Sequence, residues 1–161
     1  MKVHHLYISK QHNFVGHHGS PPGETPIEEV EEVECVEGLG LRGDRYFDHK
    51  PGYKGQITFF SEEVFKDLCD SFQVPDVGAD VLRRNVLVAG VDLNDFIGRE
   101  FELQGIRFLG VEECRPCYWM DQAFAEGAEE AMRGRGGLRA KILSSGTLRV
   151  DQETTDAASP A

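Results

Sequence analysis

A mainly β, α+β fold, a mixed or antiparallel β-barrel with a few short helices, is predicted by three features of this 161-residue chain. Short alternating or β-branched segments recur along it, turn residues separate them, and the strict strand–helix alternation of a parallel sheet is missing. The length suits one domain, expected over residues 1–151, followed by a small, polar and flexible tail over 152–161.

Lys2 to Ser9 alternates weakly and reads as a first strand. Residues 11–23 are rich in Gly, Pro and His without a sustained period, which predicts a long loop. Ile27 to Val36 fits both periods, and its β-branched content favours a strand. Gly38 to Arg45 carries three glycines and two arginines. It reads as a loop able to bring backbone amides and guanidinium groups to an anion, with Asp44 pairing one arginine as the alternative.

Gln56 to Phe60 is a predicted strand. Ser61 then caps a helix that opens with Glu62 and Glu63 and buries Val64, Phe65, Leu68 and Phe72. Val81 to Ala89 reads as a strand, so Arg83 and Arg84 are expected on opposite faces, with Asn85 on the face of Arg83. A short turn over Asp92–Phe96 leads to a hairpin of Glu100–Gln104 and Ile106–Glu112 around Gly105. Tyr118 to Met132 reads as helical with a break near Gly127, and Leu138–Leu143 and Thr147–Val150 as two last strands.

Composition excludes several classes. With 17 basic and 28 acidic residues the net charge is -11, which opposes generic binding to nucleic acid or to an anionic membrane but leaves room for a local basic pocket. No apolar run approaches the ~20 residues that span a bilayer, and the N-terminus lacks the apolar core of a signal peptide. A soluble, cytoplasmic protein is the expectation. The four cysteines, Cys35, Cys69, Cys114 and Cys117, read as thiols rather than staples.

Cys114 and Cys117 form a Cys-x-x-Cys with a proline inside it. Three chemistries fit: a redox dithiol, a zinc site completed in space by His12, His17, His18 or His49, and a single thiolate that binds a soft metal or carries persulfide sulfur. Asp121, four residues beyond Cys117, suits either proton donation or helix capping. The histidines His12, His17 and His18 suit ligation or proton transfer, or simply a surface loop.

The succession Gly40–Arg45, Gln56–Thr58, Arg83–Asn85, Ile97–Phe101, Cys114–Cys117 and Gly136–Leu143 resembles the MOSC domain, the module named after the C-terminal part of molybdenum cofactor sulfurase. The resemblance runs from about Val3 to Val150 and implies a β-barrel. Its cysteine, Cys117 here, either binds the molybdenum of a pyranopterin cofactor or accepts sulfur from a pyridoxal-phosphate cysteine desulfurase. It further implies that Arg45, Arg83, Asn85 and Arg139, with glycine-permitted backbone at Gly43, face the cofactor's phosphate and pterin. Cys114 is a companion thiol. The activity implied is reduction of N-hydroxylated small molecules, with electrons from a separate protein because no flavin, haem or iron–sulfur ligand set is evident. Two other readings stay open: a persulfide carrier on Cys117, and a non-catalytic module for a phosphate-bearing ligand. The oligomeric state is not legible.

Overall fold

The computed structural model describes residues 1–10 and 27–152. Residues 11–26, which carry His12, His17 and His18 and for which a loop was expected, and all of the tail except Gln152 lie outside the described residues. The strands are β1 (Lys2–Ile8), β2 (Glu28–Val30), β3 (Glu32–Val36), β4 (Gly40–Leu41) and β5 (Ile57–Ser61). Helix α1 (Glu62–Phe72) precedes β6 (Val86–Ala89), β7 (Glu100–Leu103) and β8 (Ile106–Glu113). Helices α2 (Trp119–Ala123) and α3 (Ala128–Met132) lead to β9 (Leu138–Ile142) and β10 (Gly146–Arg149).

A seven-stranded sheet runs β2-β1-β6-β5-β9-β8-β7, and a three-stranded one runs β10-β3-β4. The class is as expected, strand-rich with a mixed sheet. Among the described residues the strands form two sheets packed over one core rather than one continuous ladder of hydrogen bonds. Val33, Cys35, Leu41 and Leu148 of the small sheet pack in one cluster with Leu6, Ile57, Phe59 and Phe108 of the large one. Backbone bonds tie the margins, from Gly38 N–H to the Ile142 carbonyl at 3.0 Å and from Asp151 N–H to the Val3 carbonyl at 2.8 Å. Burial in this core pushes the Cys35 thiol up to about 12, which marks it as a packing residue.

The Ile27–Val36 segment divides at Glu31, so that β2 pairs with β1 and β3 with β10 and β4. Gly40 and Leu41, expected in a loop, form the short β4. Ser61 ends β5 and caps α1, its hydroxyl accepting from Val64 N–H at 3.2 Å. Leu68 is buried on α1, while Val64, Phe65 and Phe72 are half-buried against a second cluster around Phe60, Leu87 and Met120. Through α1, β5 and β6 become parallel neighbours, a single strand–helix–strand unit within the otherwise antiparallel ladders of the large sheet.

The predicted strand Val81–Ala89 needs the largest correction. Ala79–Leu82 is a 3₁₀ turn, Arg83 follows it in the left-handed region at φ 55°, and the strand begins only at Val86. Strand alternation therefore does not govern Arg83, Arg84 and Asn85. Beyond the thiols, the helical stretch breaks at residues 124–127, where Gly127 at φ 91° starts α3.

Candidate functional site

A cavity of about 240 Å³ opens where the turn before β6, the loop after β4, the thiol loop and the start of β9 meet. Arg45, Arg83, Arg84, Arg115 and Arg139 line it, with Cys114 and Cys117, in a chain whose net charge is -11. Such focused positive potential inside an acidic protein fits an anionic ligand. Its volume lies just under the roughly 300–1,000 Å³ of small-molecule pockets, so a larger ligand would protrude.

Arg45 is almost wholly buried and bound to its neighbour Asp44 at 3.2 Å. Asp44 also accepts from the backbone N–H groups of Ser9 at 3.0 Å and Tyr46 at 3.2 Å, which makes Arg42-Gly43-Asp44 part of a structural turn. Gly43 itself, at φ 90°, does not line the cavity. Arg45 Nη2 donates to the Arg83 carbonyl at 3.3 Å and so supports the left-handed backbone there. Arg42 points away and pairs with Glu34.

The Arg83 side chain faces the cavity beside Arg45, and its Nη2 is buried without a hydrogen-bond partner among the described residues. Burial, and then repulsion by Arg45, push its guanidinium down to about 10 against the partial relief given by Tyr46 and Asp44. A buried cationic donor without a partner is costly, and an oxyanion would satisfy it.

The strand reading expected only one of Arg83 and Arg84 to reach a given pocket, but the turn brings both to its wall. Arg84 serves differently from Arg83. Its Nε donates to the Gly136 carbonyl at 3.2 Å, Nη1 to that of Leu82 at 2.9 Å and Nη2 to that of Cys114 at 3.2 Å. One planar fork thus ties three segments behind the thiols.

Cys114 is 6% exposed and lies where it interacts electrostatically with Arg139, whereas Cys117 is exposed. Both are free. The thiol loop lies so close to the start of β9 that a Cβ on Gly136 would stand 2.4 Å from the Cys114 carbonyl oxygen. Arg139 reaches Glu112 at 3.5 Å. Burial works against its charge, but the Cys114 thiol, Tyr53 and Glu112 outweigh that and raise its guanidinium.

Tyr46 and Tyr53 stack at 5.3 Å between ring centres and form an aromatic wall. Burial first, then Tyr46, push the Tyr53 phenol up to about 12. Trp119 also lines the cavity, with its indole N–H bound to the Val81 carbonyl at 3.2 Å.

Two residues expected at the site have other work. Asn85 is buried and does not line the cavity. Its Oδ1 accepts from the N–H and hydroxyl of Thr58, both at 3.0 Å, and its Nδ2 donates to the Tyr7 carbonyl at 3.1 Å. It clamps β1, β5 and β6 together. Asp121 accepts from Glu129 N–H at 2.8 Å and caps α3. Among the described residues no group of three or more His, Cys, Asp or Glu is placed to hold a metal ion. His49 instead packs against Tyr46 and Tyr53.

Sequence reasoning named Arg45, Arg83, Arg139 and the two thiols for this place and missed Arg84, Arg115, Tyr46 and Tyr53 as site residues. The adjacency of Tyr46 to Arg45 and of Arg115 to Cys114 was the available signal.

No helix among the described residues is long and apolar enough to cross a membrane. No curated protein matches the sequence. Among solved structures, the YUAD protein of Bacillus subtilis is similar, with a TM-score of 0.70 and 20% identity over 92% of this chain and 91% of that one. YiiM of Escherichia coli gives 0.64 and 16%, over 94% of this chain and 67% of that one. YiiM of Geobacillus stearothermophilus gives 0.66 and 14%, over 92% and 70%. At these identities the likeness is one of fold. The family model of the MOSC domain matches residues 17–155, most of the chain, and this protein therefore belongs to the MOSC domain family.

Proposed function

We propose that the cavity binds the molybdenum–pyranopterin cofactor and that the loaded protein reduces N-hydroxylated compounds with electrons from a separate electron-transfer protein. The observation that carries this reading is the buried, partnerless Nη2 of Arg83 beside Arg45 on the cavity wall. A phosphate there would gain charge-assisted hydrogen bonds of about 1.5–3 kcal/mol each and offset the repulsion between the two guanidinium groups. Arg45 and Arg83 would hold the phosphate, and Cys117, exposed at the same cavity, would supply a thiolate to the metal. When bound, the cofactor supplies two-electron chemistry suited to cleaving an N–O bond. The wall of Tyr46 and Tyr53 offers a flat apolar surface for a planar substrate, and Trp119 adds a third aromatic ring to the cavity lining. Asn85 is committed to the interior, so pterin recognition falls to the other lining groups.

X-ray absorption at the molybdenum edge tests the ligand role. Cofactor-loaded wild type should show one more sulfur neighbour than Cys117→Ser, and equal sulfur counts would refute it.

A second reading has its own support. An exposed thiol is accessible to another protein, and Cys117 is the exposed member of the pair. On this reading Cys117 receives persulfide sulfur from a cysteine desulfurase and passes it on.

A further inference from the structure

Cys114 and Cys117 line the same cavity, both free, one buried and one exposed. Residues 114–117 belong to no helix or strand, and a Cys-x-x-Cys loop of this kind can close a disulfide between its own ends. The inner thiol is not loosely placed. Its carbonyl is held by Arg84 at 3.2 Å, and Gly136 packs directly beneath that carbonyl. Cys114 is therefore shielded from solvent while sharing a cavity with the thiol that outside molecules can reach.

We propose that Cys114 is a resolving thiol that releases sulfur from Cys117 into the arginine-lined cavity. The proposal rests on the persulfide-carrier reading. With a persulfide on Cys117, the Cys114 sulfur attacks the inner sulfur of Cys117. The bond between the cysteine sulfurs forms as the bond to the terminal sulfur breaks. The electron pair of the broken bond leaves with the terminal sulfur, and the Cys114 proton completes hydrogen sulfide. Cys117–S–SH and Cys114–SH thus give one Cys114–Cys117 disulfide and one H₂S. The Cys114 sulfur is oxidised, the terminal sulfur is reduced, and no outside oxidant enters. A low-molecular-weight thiol returns the pair to its reduced form by ordinary exchange. Arg139 and Arg115, both on the cavity wall, favour the departing hydrosulfide as an anion and keep it where an anionic acceptor would bind.

The test loads the full chain from a cysteine desulfurase with cysteine, removes the donor, and follows released sulfide and peptide masses. Wild type should release close to one sulfide per chain and acquire the Cys114–Cys117 disulfide. Cys114→Ser should keep the extra sulfur on Cys117 and release sulfide on the order of tenfold more slowly, the attacking thiol being lost. Cys114→Ala provides a second variant should the serine disturb the buried site, and thermal melting confirms that both are folded. Equal release from wild type and both variants, with the sulfur adduct present on Cys117, would overturn the resolving role and leave the carrier reading intact. No adduct on Cys117 in either Cys114 variant would remove the carrier reading and this proposal with it.

Discussion

Arg84 Nη2 donates to the carbonyl oxygen of Cys114 at 3.2 Å, while the same side chain holds the carbonyls of Leu82 and Gly136. The thiol loop is thus fixed to the turn before β6 and to the entry of β9 by one side chain. A lysine, with a single compact ammonium group, cannot reproduce that fork. Arg84→Lys is expected to lose roughly 1–3 kcal/mol of stability through unsatisfied carbonyls. Cys114, shielded in the wild type, should be alkylated by iodoacetamide faster in the folded variant. Denaturant melts and mass-resolved alkylation check both parts.

Gly136 is the complement of that clamp. A methyl group there meets the Cys114 carbonyl oxygen at 2.4 Å and Pro116 Cδ at 2.8 Å, neither at the end of a flexible side chain. Gly136→Ala should cost about 1–3 kcal/mol by overpacking. It should also change the rate at which Cys117 reacts with a thiol reagent, because the loop must move. An unaltered Cys117 rate together with unaltered stability would refute the close approach.

Asn85 is predicted to matter for folding rather than for ligand binding. Removing its amide in Asn85→Ala leaves the Thr58 N–H and the Tyr7 carbonyl without their partner inside the sheet. A loss of about 3 kcal/mol is expected from burying these groups unsatisfied. Phosphate affinity of the folded protein, measured by calorimetry, should fall far less than in Arg83→Met, because Asn85 itself does not line the cavity.

The Arg83 guanidinium has the opposite character, and its sign can be worked out. In the fold it sits at about 10, below its ordinary value. The folded state therefore holds this proton less tightly than the unfolded chain. The cost is fully present at neutral pH and is relieved as pH rises above about 10. Without anions at pH 7, Arg83→Met should be more stable than wild type by about 1 kcal/mol, since replacing buried charge with apolar volume commonly stabilises. The difference should shrink above pH 10. Phosphate should raise the melting temperature of wild type and leave that of Arg83→Met unchanged.

The strand-rich class was legible because β8 and β9 alternate between buried and more exposed positions and β5 is a short apolar run. The capped start of α1 was legible because Ser61, Glu62 and Glu63 are local signals. What escaped depended on distant partners. The division of Ile27–Val36 between two sheets follows from what β1 and β10 offer on either side, which no local pattern encodes. Arg83 and Asn85 looked like strand neighbours because Val81 and Leu82 are apolar. In the fold, that apolar pair belongs to a 3₁₀ turn and Arg83 adopts a left-handed backbone with its carbonyl held by Arg45. Polar type alone could not separate a guanidinium with an unsatisfied buried Nη2, Arg83, from one with three carbonyls, Arg84. Nor could it separate either from Asn85, an amide satisfied within the core.

The central claim, that this arginine-lined cavity holds a molybdenum–pyranopterin through Cys117, is tested most directly by molybdenum content per chain. Protein purified from a host that makes the cofactor should carry molybdenum approaching one per chain in wild type, and Cys117→Ala and Arg83→Met should each lose most of it. Wild-type protein without molybdenum, or Cys117→Ala retaining the wild-type amount, would contradict the claim.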